Sequence, residues 1–512
     1  MCGILCIINP ESLNYCFELL NKLSHRGPDD IAYKLYEANN NKIFLGFTRL
    51  SINDLSSNGM QPFTNTIKYN NTTAVICNGE IYNHEILATS FGRMAKSDCG
   101  VLLNIFNSLP FNSALHYLDA EFALVYFDGN DVYAARDRYG VRPLFVGSKI
   151  AMNSDNLPQI IFSSEMKAIP NDYDFVSQLN PSHYAKYSTV ENTLTYTEYY
   201  YRHIIDTIKP TYGILRKFLV SAVNKRLQSD RPLGFLLSGG LDSSLIVYMA
   251  TTLMPVDNIE CFTIGTQGSP DIKAAKELTT FLGIKKHHVI EFNIEEGIEM
   301  IPEVIRCLET YDVTTIRASV PQYILAKYIK NNTNIRVLLS GEGSDEIHGS
   351  YKYFEKAPNK EEFKKECARL LSELYYFDNL RTDRTMAAWG LEVRCPFLDH
   401  KYVNFVMTSN SEYFMYDNDT KMEKKFLRDS FKGELPPHLL YRSKDAFSDS
   451  VSSDKENWRL SIIDKVGNEQ EYYKSVFIEC YPPKDRLNIL PHYWLPKWCG
   501  DVTDPSAKIL KI

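Results

Sequence analysis

The sequence predicts an α+β domain of layered antiparallel sheets, followed by an α/β domain with a parallel sheet and additional C-terminal helices. Three observations carry this expectation. Residues 2–195 hold many short strand signals and few helical ones. In residues 209–512 strands and helices alternate at first, the pattern of a parallel sheet covered by helices. A chain of 512 residues is also longer than one hydrophobic core usually organises.

In the first segment, Ala74-Val75-Ile76-Cys77 is short and apolar, and 121–127 is rich in strand formers. Strand signals continue at 132–135, 143–146 and 160–164, with turns such as Asp128-Gly129-Asn130 between them. Helical patterns are fewer, at 14–23 and 99–107. The polar stretch 191–208, which includes Tyr199-Tyr200-Tyr201, reads as a linker. Beyond it, strand signals fall at 233–237, 259–264, 284–292 and 335–339. After residue 350 the signals are mostly helical, and from 449 the chain reads as a polar tail.

Composition narrows the class. A net charge of −7 argues against nucleic acid as the main partner. No apolar run reaches the length of a membrane span, and the start lacks the basic region of a secretory signal. The expectation is a soluble cytoplasmic protein with no nucleic-acid or membrane partner. The eleven cysteines are scattered without a C-x-x-C pair or zinc spacing, as reduced thiols would be. His287 and His288 are adjacent on a strand signal, so they point to opposite faces and do not share a metal.

The run Ser238-Gly239-Gly240-Leu241-Asp242-Ser243-Ser244 joins a strand signal to a segment that can start a helix. Its glycines let backbone N–H groups approach an anion, and the helix end adds a favourable dipole. Its serines add donors, and Asp242 is a candidate magnesium ligand. No lysine follows the glycines, so this is not a Walker A loop. A loop without that lysine suits chemistry at the α-phosphate, with pyrophosphate leaving. Two further loops end strands: Gly265-Thr266-Gln267-Gly268 after Ile264, and Ser340-Gly341-Glu342-Gly343-Ser344-Asp345-Glu346. Loops at the carboxyl ends of parallel strands form a ligand crevice, so these converge. Asp345 and Glu346 then join Asp242 as candidate magnesium ligands.

These runs, with 309–319 (Glu-Thr-Tyr-Asp-Val-Thr-Thr-Ile-Arg-Ala-Ser) and 386–399, resemble the glutamine-dependent asparagine synthetase family. The Ser238 loop resembles that family's ATP-pyrophosphatase motif. Such enzymes adenylate a carboxylate, release pyrophosphate and let a nitrogen nucleophile displace AMP. The resemblance implies ATP and Mg2+ as cofactors. It implies an ATP site of Leu236, Ser238, Gly239, Gly240, Asp242, Ser243, Ser244, Ile264, Ser340 and Gly341, with Leu236 and Ile264 flanking the adenosine. Asp242 and Asp345 would hold magnesium and pyrophosphate. Glu342 matches the glutamate tied to aspartyl-adenylate formation. Thr314, Thr315 and Arg317 match residues near the aspartyl or phosphate groups, and Lys444 matches a lysine near the reacting phosphate.

Cys2 carries the chemistry of the first domain. Removal of Met1 leaves a cysteine with a free α-amine, so one residue holds both nucleophile and base. In Asn78-Gly79-Glu80, a side-chain amide and a glycine N–H stand side by side and can make an oxyanion hole. Arg49 can clamp a carboxylate, and Asp98 can pair with an ammonium, the two charged ends of a free amino acid. With His25-Arg26-Gly27-Pro28-Asp29 and 136–140, these segments resemble the class II glutamine amidotransferase domain. That resemblance implies an N-terminal-nucleophile α/β/β/α sandwich. It also implies Cys2 as nucleophile, Asn78 and Gly79 as oxyanion donors, and Arg49, Leu50, Ser51, Ile52, Asn53, Glu80 and Asp98 around glutamine.

Related builds are less well matched. Beta-lactam synthetase resembles this architecture but lacks the nucleophilic cysteine. A non-catalytic relative is disfavoured by the presence of Cys2, Asp242 and Glu342 together. Glutaminases joined to phosphoribosyl or sugar transfer fail at the Ser238 loop. The chain departs from the family at Gly100, at Ala120-Glu121, and at Ser450 and Ser452, which replace glycines after Lys444. The small-molecule partners implied are glutamine, aspartate and ATP. The products implied are asparagine, glutamate, AMP and pyrophosphate. The resemblance also implies passage of ammonia between the domains, and a homodimer. On this reading Cys2→Ala abolishes glutamine-dependent amide formation and leaves ammonia-dependent formation intact. The two assays run side by side check it, and loss of both in a folded variant contradicts the division of labour.

Overall fold

The computed structural model describes residues 1–66, 72–92, 97–150, 157–201, 206–417, 419–420, 422–443, 451–452, 457–482, 486–489, 494–500 and 502. Two compact units form. One comprises 1–202 with 387–391 and 478–491, and the other 203–386 with 392–477 and 492–512.

The first unit holds two six-stranded antiparallel sheets. With strands numbered in chain order, one runs β10 (Phe175–Gln178), β8 (Phe145–Lys149), β9 (Gln159–Ser163), β1 (Gly3–Ile8), β3 (Asn41–Arg49), β2 (Asp30–Ala38). The other runs β12 (Thr193–Glu198), β11 (His183–Ser188), β7 (Val132–Arg136), β6 (Ala120–Phe127), β5 (Thr72–Ile81), β4 (Phe63–Thr66). Alternation along the strands builds the layers. Ile4, Cys6 and Ile8 of β1 share one core with Ala74 and Ile76 of β5 and with Ala123 and Val125 of β6. The intervening Val75, Cys77, Phe122 and Leu124 enter a second core with helices α3 (Leu102–Ser108) and α4 (Phe111–His116), which follow α2 (His84–Phe91). On the outer face of the first sheet, Phe17 of α1 (Leu13–Asn21) meets Phe44 of β3 edge to face. The result is the expected α/β/β/α sandwich.

The second unit is built on a five-stranded parallel sheet in the order β15 (Lys286–Glu291), β14 (Glu260–Gly265), β13 (Leu233–Leu236), β16 (Val337–Leu339), β17 (Glu392–Arg394). Its helices include α5 (Tyr212–Arg226), α6 (Leu241–Leu253), α7 (Pro270–Phe281), α8 (Ile294–Leu308), α9 (Val313–Asn332) and α10 (Ser344–His348). The strand order reverses around β13. A parallel sheet opens its ligand crevice at such a point, beyond the strands' carboxyl ends.

Two expectations need correction. The stretch read as a linker contains β12, paired in register with β11. Its Thr-Leu-Thr-Tyr-Thr-Glu composition favours a strand, and its polar look reflects an exposed edge position. The adjoining Tyr199 is buried, and its hydroxyl donates to the Arg136 carbonyl at 2.9 Å. The stretch read as a tail contains helices Trp458–Val466 and Glu469–Cys480. Trp458 is fully buried and its indole N–H donates to the Arg317 carbonyl at 3.0 Å. The two histidines do keep separate company. His287 bonds to Thr263 and Thr279, and His288 to Glu260 and Tyr328. No helix among the described residues is long and apolar enough to cross a membrane.

Gly27 shows how tightly the first sandwich is closed. A Cβ there would lie 2.2–2.4 Å from backbone atoms of Thr48 and Arg49, at the end of β3. Backbone cannot yield as a side-chain tip can. Gly27→Ala is therefore expected to destabilise the first unit by about 1–3 kcal/mol, read as a lower urea midpoint for its unfolding.

Candidate functional site

In the first unit, β1 delivers Cys2 to the edge of the sandwich beside the end of β3. The Cys2 sulfur accepts from the Leu50 N–H at 3.4 Å. The Cys2 N–H donates to Asn78 Oδ1 at 2.9 Å, and the Cys2 carbonyl accepts from Arg26 Nε at 2.9 Å. Arg26 is fully buried and pairs with Glu165 at 2.7 Å. The Cys2 backbone is thus gripped on both sides. Met1 is present and buried, so Cys2 carries an amide nitrogen here.

Asn78 is 1% exposed, and its Nδ2 is buried without a hydrogen-bond partner. A buried donor left open is costly, so its persistence marks a place where an oxygen belongs. Gly79 sits where a Cβ would fall 2.2 Å from the Glu121 carbonyl, a close approach that only glycine allows. Around them, Asn53 donates to Glu80 at 2.6 Å, and the Ser51 N–H donates to Asp29 at 2.8 Å. The Ile81 N–H donates to Asp98 at 2.8 Å. Arg49 holds a turn: its guanidinium donates to the carbonyls of Ser56 and Asp54. A Cβ at Gly59 would strike that guanidinium, so Gly59 makes room for it.

In the second unit, a cavity of about 250 Å³ opens beyond β13, β14 and β16. Leu236, Ser238, Gly240, Asp242 and Ser243 line it together with Ile264, Thr314 and Thr315. Ser340, Gly341, Glu342 and Asp345 complete this side. Gly240 caps α6 without any side-chain bond, so the helix start faces the cavity uncapped, an anion-binding terminus. Gly239 adopts φ of +75°, and Ser238 and Ser243 bond each other across the loop at 3.1 Å. Arg442 ties the loop down, donating to the Gly239 carbonyl at 3.0 Å and to Asp271 at 2.6 Å. A Cβ at Gly341 would lie 2.9 Å from Asp242 Cβ, so that glycine lets the two loops touch.

Charge is balanced group by group. The Lys424 ammonium donates to both oxygens of Asp242, at 2.8 and 2.7 Å, and to Asp345 at 2.6 Å. Arg381 donates to Glu342 at 2.9 Å, to Asp378 at 2.7 Å and to Gln322 at 2.9 Å. Burial opposes the Arg381 charge, but Glu342 and Asp378 outweigh it and keep the guanidinium cationic. Burial also pushes Asp378 up, and Arg381 more than offsets this, so Asp378 stays ionised. Glu346 has no such cation. Burial, then Asp378 and Asp345, lift its carboxyl well above the ordinary range, and Tyr351 hydrogen-bonds to it at 2.5 Å. Glu346 is buried and, unlike Asp345, is not among the residues that line the cavity.

Three expected residues lie elsewhere. Gly239 and Ser244 support the loop without lining the cavity. Arg317 is 2% exposed and its guanidinium forms a bidentate pair with Glu469. Lys444 and Ser450 lie outside the described residues.

The sequence comparisons bear on both sites. The family model described as asparagine synthase matches residues 215–368 and 355–479, and that described as a glutamine amidotransferase domain matches 1–217. A protein of Acanthamoeba polyphaga mimivirus, named a probable asparagine synthetase (glutamine-hydrolysing), is 48% identical over 100% of both chains. The asparagine synthetase of Gallus gallus is 37% identical over 100% of this chain and 99% of its own, and that of Homo sapiens 35% over 100% and 98%. The chain belongs to the glutamine-hydrolysing asparagine synthetases. A solved glutamine phosphoribosylpyrophosphate amidotransferase from B. subtilis, complexed with ADP and GMP, is 13% identical, with a TM-score of 0.35 over 57% of this chain and 91% of that one.

For an asparagine synthetase, whose substrate is ATP, a metal ion to accompany the phosphates must be tested against the residues present. Among the described residues no three of His, Cys, Asp or Glu gather as a metal site. Two carboxylates do share a cation, the Lys424 ammonium, so Asp242 and Asp345 face one point and bind positive charge there. Two carboxylates completed by phosphate oxygens and water are the usual magnesium arrangement, so the donor set fits. Sequence reasoning missed Arg26, Glu165, Lys424, Arg381 and Arg442. Arg26 stood inside a run already noted, and Arg442 lies two residues before Lys444. Lys424 and Arg381 carried no local signal, each standing among other charged residues. Asn78→Ala is expected to lower the kcat of glutamine hydrolysis by about 10²–10³-fold without changing ammonia-dependent asparagine formation, as parallel steady-state assays would record.

Proposed function

We propose that residues 2–195 form the glutaminase and residues 209–512 the synthetase of this enzyme, and that the reaction divides between them as follows. With Met1 removed, the Cys2 amine takes the thiol proton and the thiolate attacks the side-chain amide carbon of glutamine. Asn78 Nδ2 and the Gly79 N–H hold the oxyanion. Ammonia leaves, and water releases glutamate from the thioester. Arg49, Leu50, Ser51, Ile52, Asn53, Glu80 and Asp98 surround the glutamine. Arg26 and Glu165 act through Cys2 by fixing its backbone.

In the second unit, the aspartate β-carboxylate attacks the α-phosphorus of ATP and pyrophosphate leaves. Ammonia then attacks the acyl carbon and AMP leaves, giving asparagine. Ser238, Gly240, Ser243 and the start of α6 receive phosphate oxygens, while Leu236 and Ile264 flank the adenosine and Ser340 and Gly341 the AMP. Asp242 and Asp345 would hold Mg2+, which would supply positive charge beside the departing pyrophosphate. Glu342, held by Arg381, serves the acyl-adenylate, with Thr314 and Thr315 beside it and Lys444 on the phosphate. Arg317 acts through Glu469, holding the start of α9 so that Thr314 and Thr315 meet the substrate. The site of action is the cytoplasm, in keeping with cysteines scattered along the chain without a C-x-x-C pair or zinc spacing.

The observation that carries this reading is the meeting of Asp242, Asp345, Glu342 and the uncapped start of α6 on one cavity. With glutamine, aspartate and Mg-ATP, the wild-type chain is expected to form asparagine, glutamate, AMP and pyrophosphate in equal amounts. Glu342→Ala is expected to lose aspartate-dependent pyrophosphate release while still hydrolysing glutamine. Unchanged pyrophosphate release from the variant counts against the role given to Glu342.

A further inference from the structure

One buried, fully committed charge in the second unit belongs to a residue outside the roles above. Lys424 is 2% exposed, and its three ammonium protons are all given to carboxylate oxygens, two of Asp242 and one of Asp345. It faces the same cavity as Ser238, Ser243 and Glu342. Its backbone stands at φ of +54°, in the left-handed region that non-glycine residues rarely occupy, just before the helix Lys425–Ser430. Such a conformation persists where surrounding structure enforces it, which is common at working sites. Here the next turn is pinned by Arg428, which donates to the carbonyls of Glu423 at 2.9 Å and Leu440 at 2.6 Å. The strained backbone aims the amine at the carboxylate pair.

The carboxylates have other partners as well. Ser344 donates to Asp242 at 2.7 Å, and Ser350 donates to Asp345. Both are neutral hydroxyls. Lys424 is a cation that bridges the two carboxylates and lets them face each other. We propose that Lys424 is a tethered counter-ion that fills the position between Asp242 and Asp345 until nucleotide arrives, so that the divalent ion enters with the phosphates and not before them. This rests on the reading of the cavity as the ATP site.

The physical argument is one of exclusion. A divalent ion held by the oxygens that now hold the ammonium cannot share their focus with it, because the two cations repel strongly at contact distance. A bare ion must evict the ammonium, leaving it buried without an anion, and that penalty weakens its binding. A triphosphate changes the balance. Its oxygens offer the ammonium a new anionic partner within reach of a flexible four-carbon stem. Lys424 then moves from carboxylates to phosphate as the metal takes its place.

Mn2+ without nucleotide, followed by electron paramagnetic resonance of the free ion, tests this directly. Wild-type protein is expected to bind it weakly. Lys424→Met is expected to bind one ion per chain at least tenfold more tightly, and to bind Mn-ATP less tightly than wild type. Adding Asp345→Asn to that variant should remove the gain. Equal Mn2+ affinities in wild type and Lys424→Met overturn the proposal, as does a gain that survives loss of Asp345. The variant leaves two carboxylates facing each other and is expected to melt lower than wild type. Mn2+ should then restore its melting temperature while leaving the wild type's unchanged, and a deficit that Mn2+ does not relieve also overturns the proposal. Failure of wild-type protein to bind ATP with Mn2+ would instead strike at the ATP-site reading itself.

Discussion

Two carboxylates from different loops share one ammonium, and the second unit is arranged so that they can. Asp242 opens α6 and Asp345 opens α10, each just past a strand of the parallel sheet. The loops meet only because Gly341 has no side chain. Arg442 holds the first loop against α7, and Ser344 reaches from the second to Asp242. A buried carboxylate costs several kcal/mol unless paired, so the carboxylates, the ammonium and the loop contact must form together. The cavity is the space this meeting leaves beyond the strand ends.

Neighbouring acids in that space are pushed in opposite directions by their surroundings. Arg381 donates to Glu342 and to Asp378. Its charge draws the Asp378 carboxyl below the ordinary range against burial, whereas burial, then Asp378 and Asp345, lift that of Glu346. Carboxyl groups in one network thus shift apart. Tyr351 spans Glu346 and Asp378, at 2.5 and 3.3 Å, and links the two. The first unit solves a different problem. A reaction with an oxyanion intermediate calls for a donor aimed at an oxygen that exists only during reaction, and under the proposed function the open Asn78 Nδ2 serves as that donor.

Much of this was legible in the chain because it is written locally. The Ser238 run, the Ser340 run and Asn78-Gly79 each act over a few adjacent residues, with their geometry set by a strand end, a glycine and a helix start. The four parallel strands read from apolar runs are present, each with its ends shifted by a few residues. Two strands, one in each unit, were harder. β12 in the first is polar on its exposed positions and reads as a linker, and β17 in the second is only three residues long. Neither offers the periodicity on which a strand reading depends.

What escaped the sequence is the set of partners that charge neutrality demands. Lys424 lies 182 residues from Asp242, and Glu469 lies 152 residues from Arg317. Nothing local marks either pair, because an ion pair fixes the sign of its partner and not its distance along the chain. Arg317 shows the consequence. Its place in a familiar run pointed to the substrate, yet its guanidinium is spent on Glu469, which also accepts from Tyr473 at 3.0 Å. A motif therefore identifies a segment more securely than it identifies which side chain in the segment meets the ligand. In this segment Thr314 and Thr315, hydrogen-bonded to Asp312 at 2.7–2.9 Å, line the cavity, and the arginine between them and the helix beyond secures the turn that presents them.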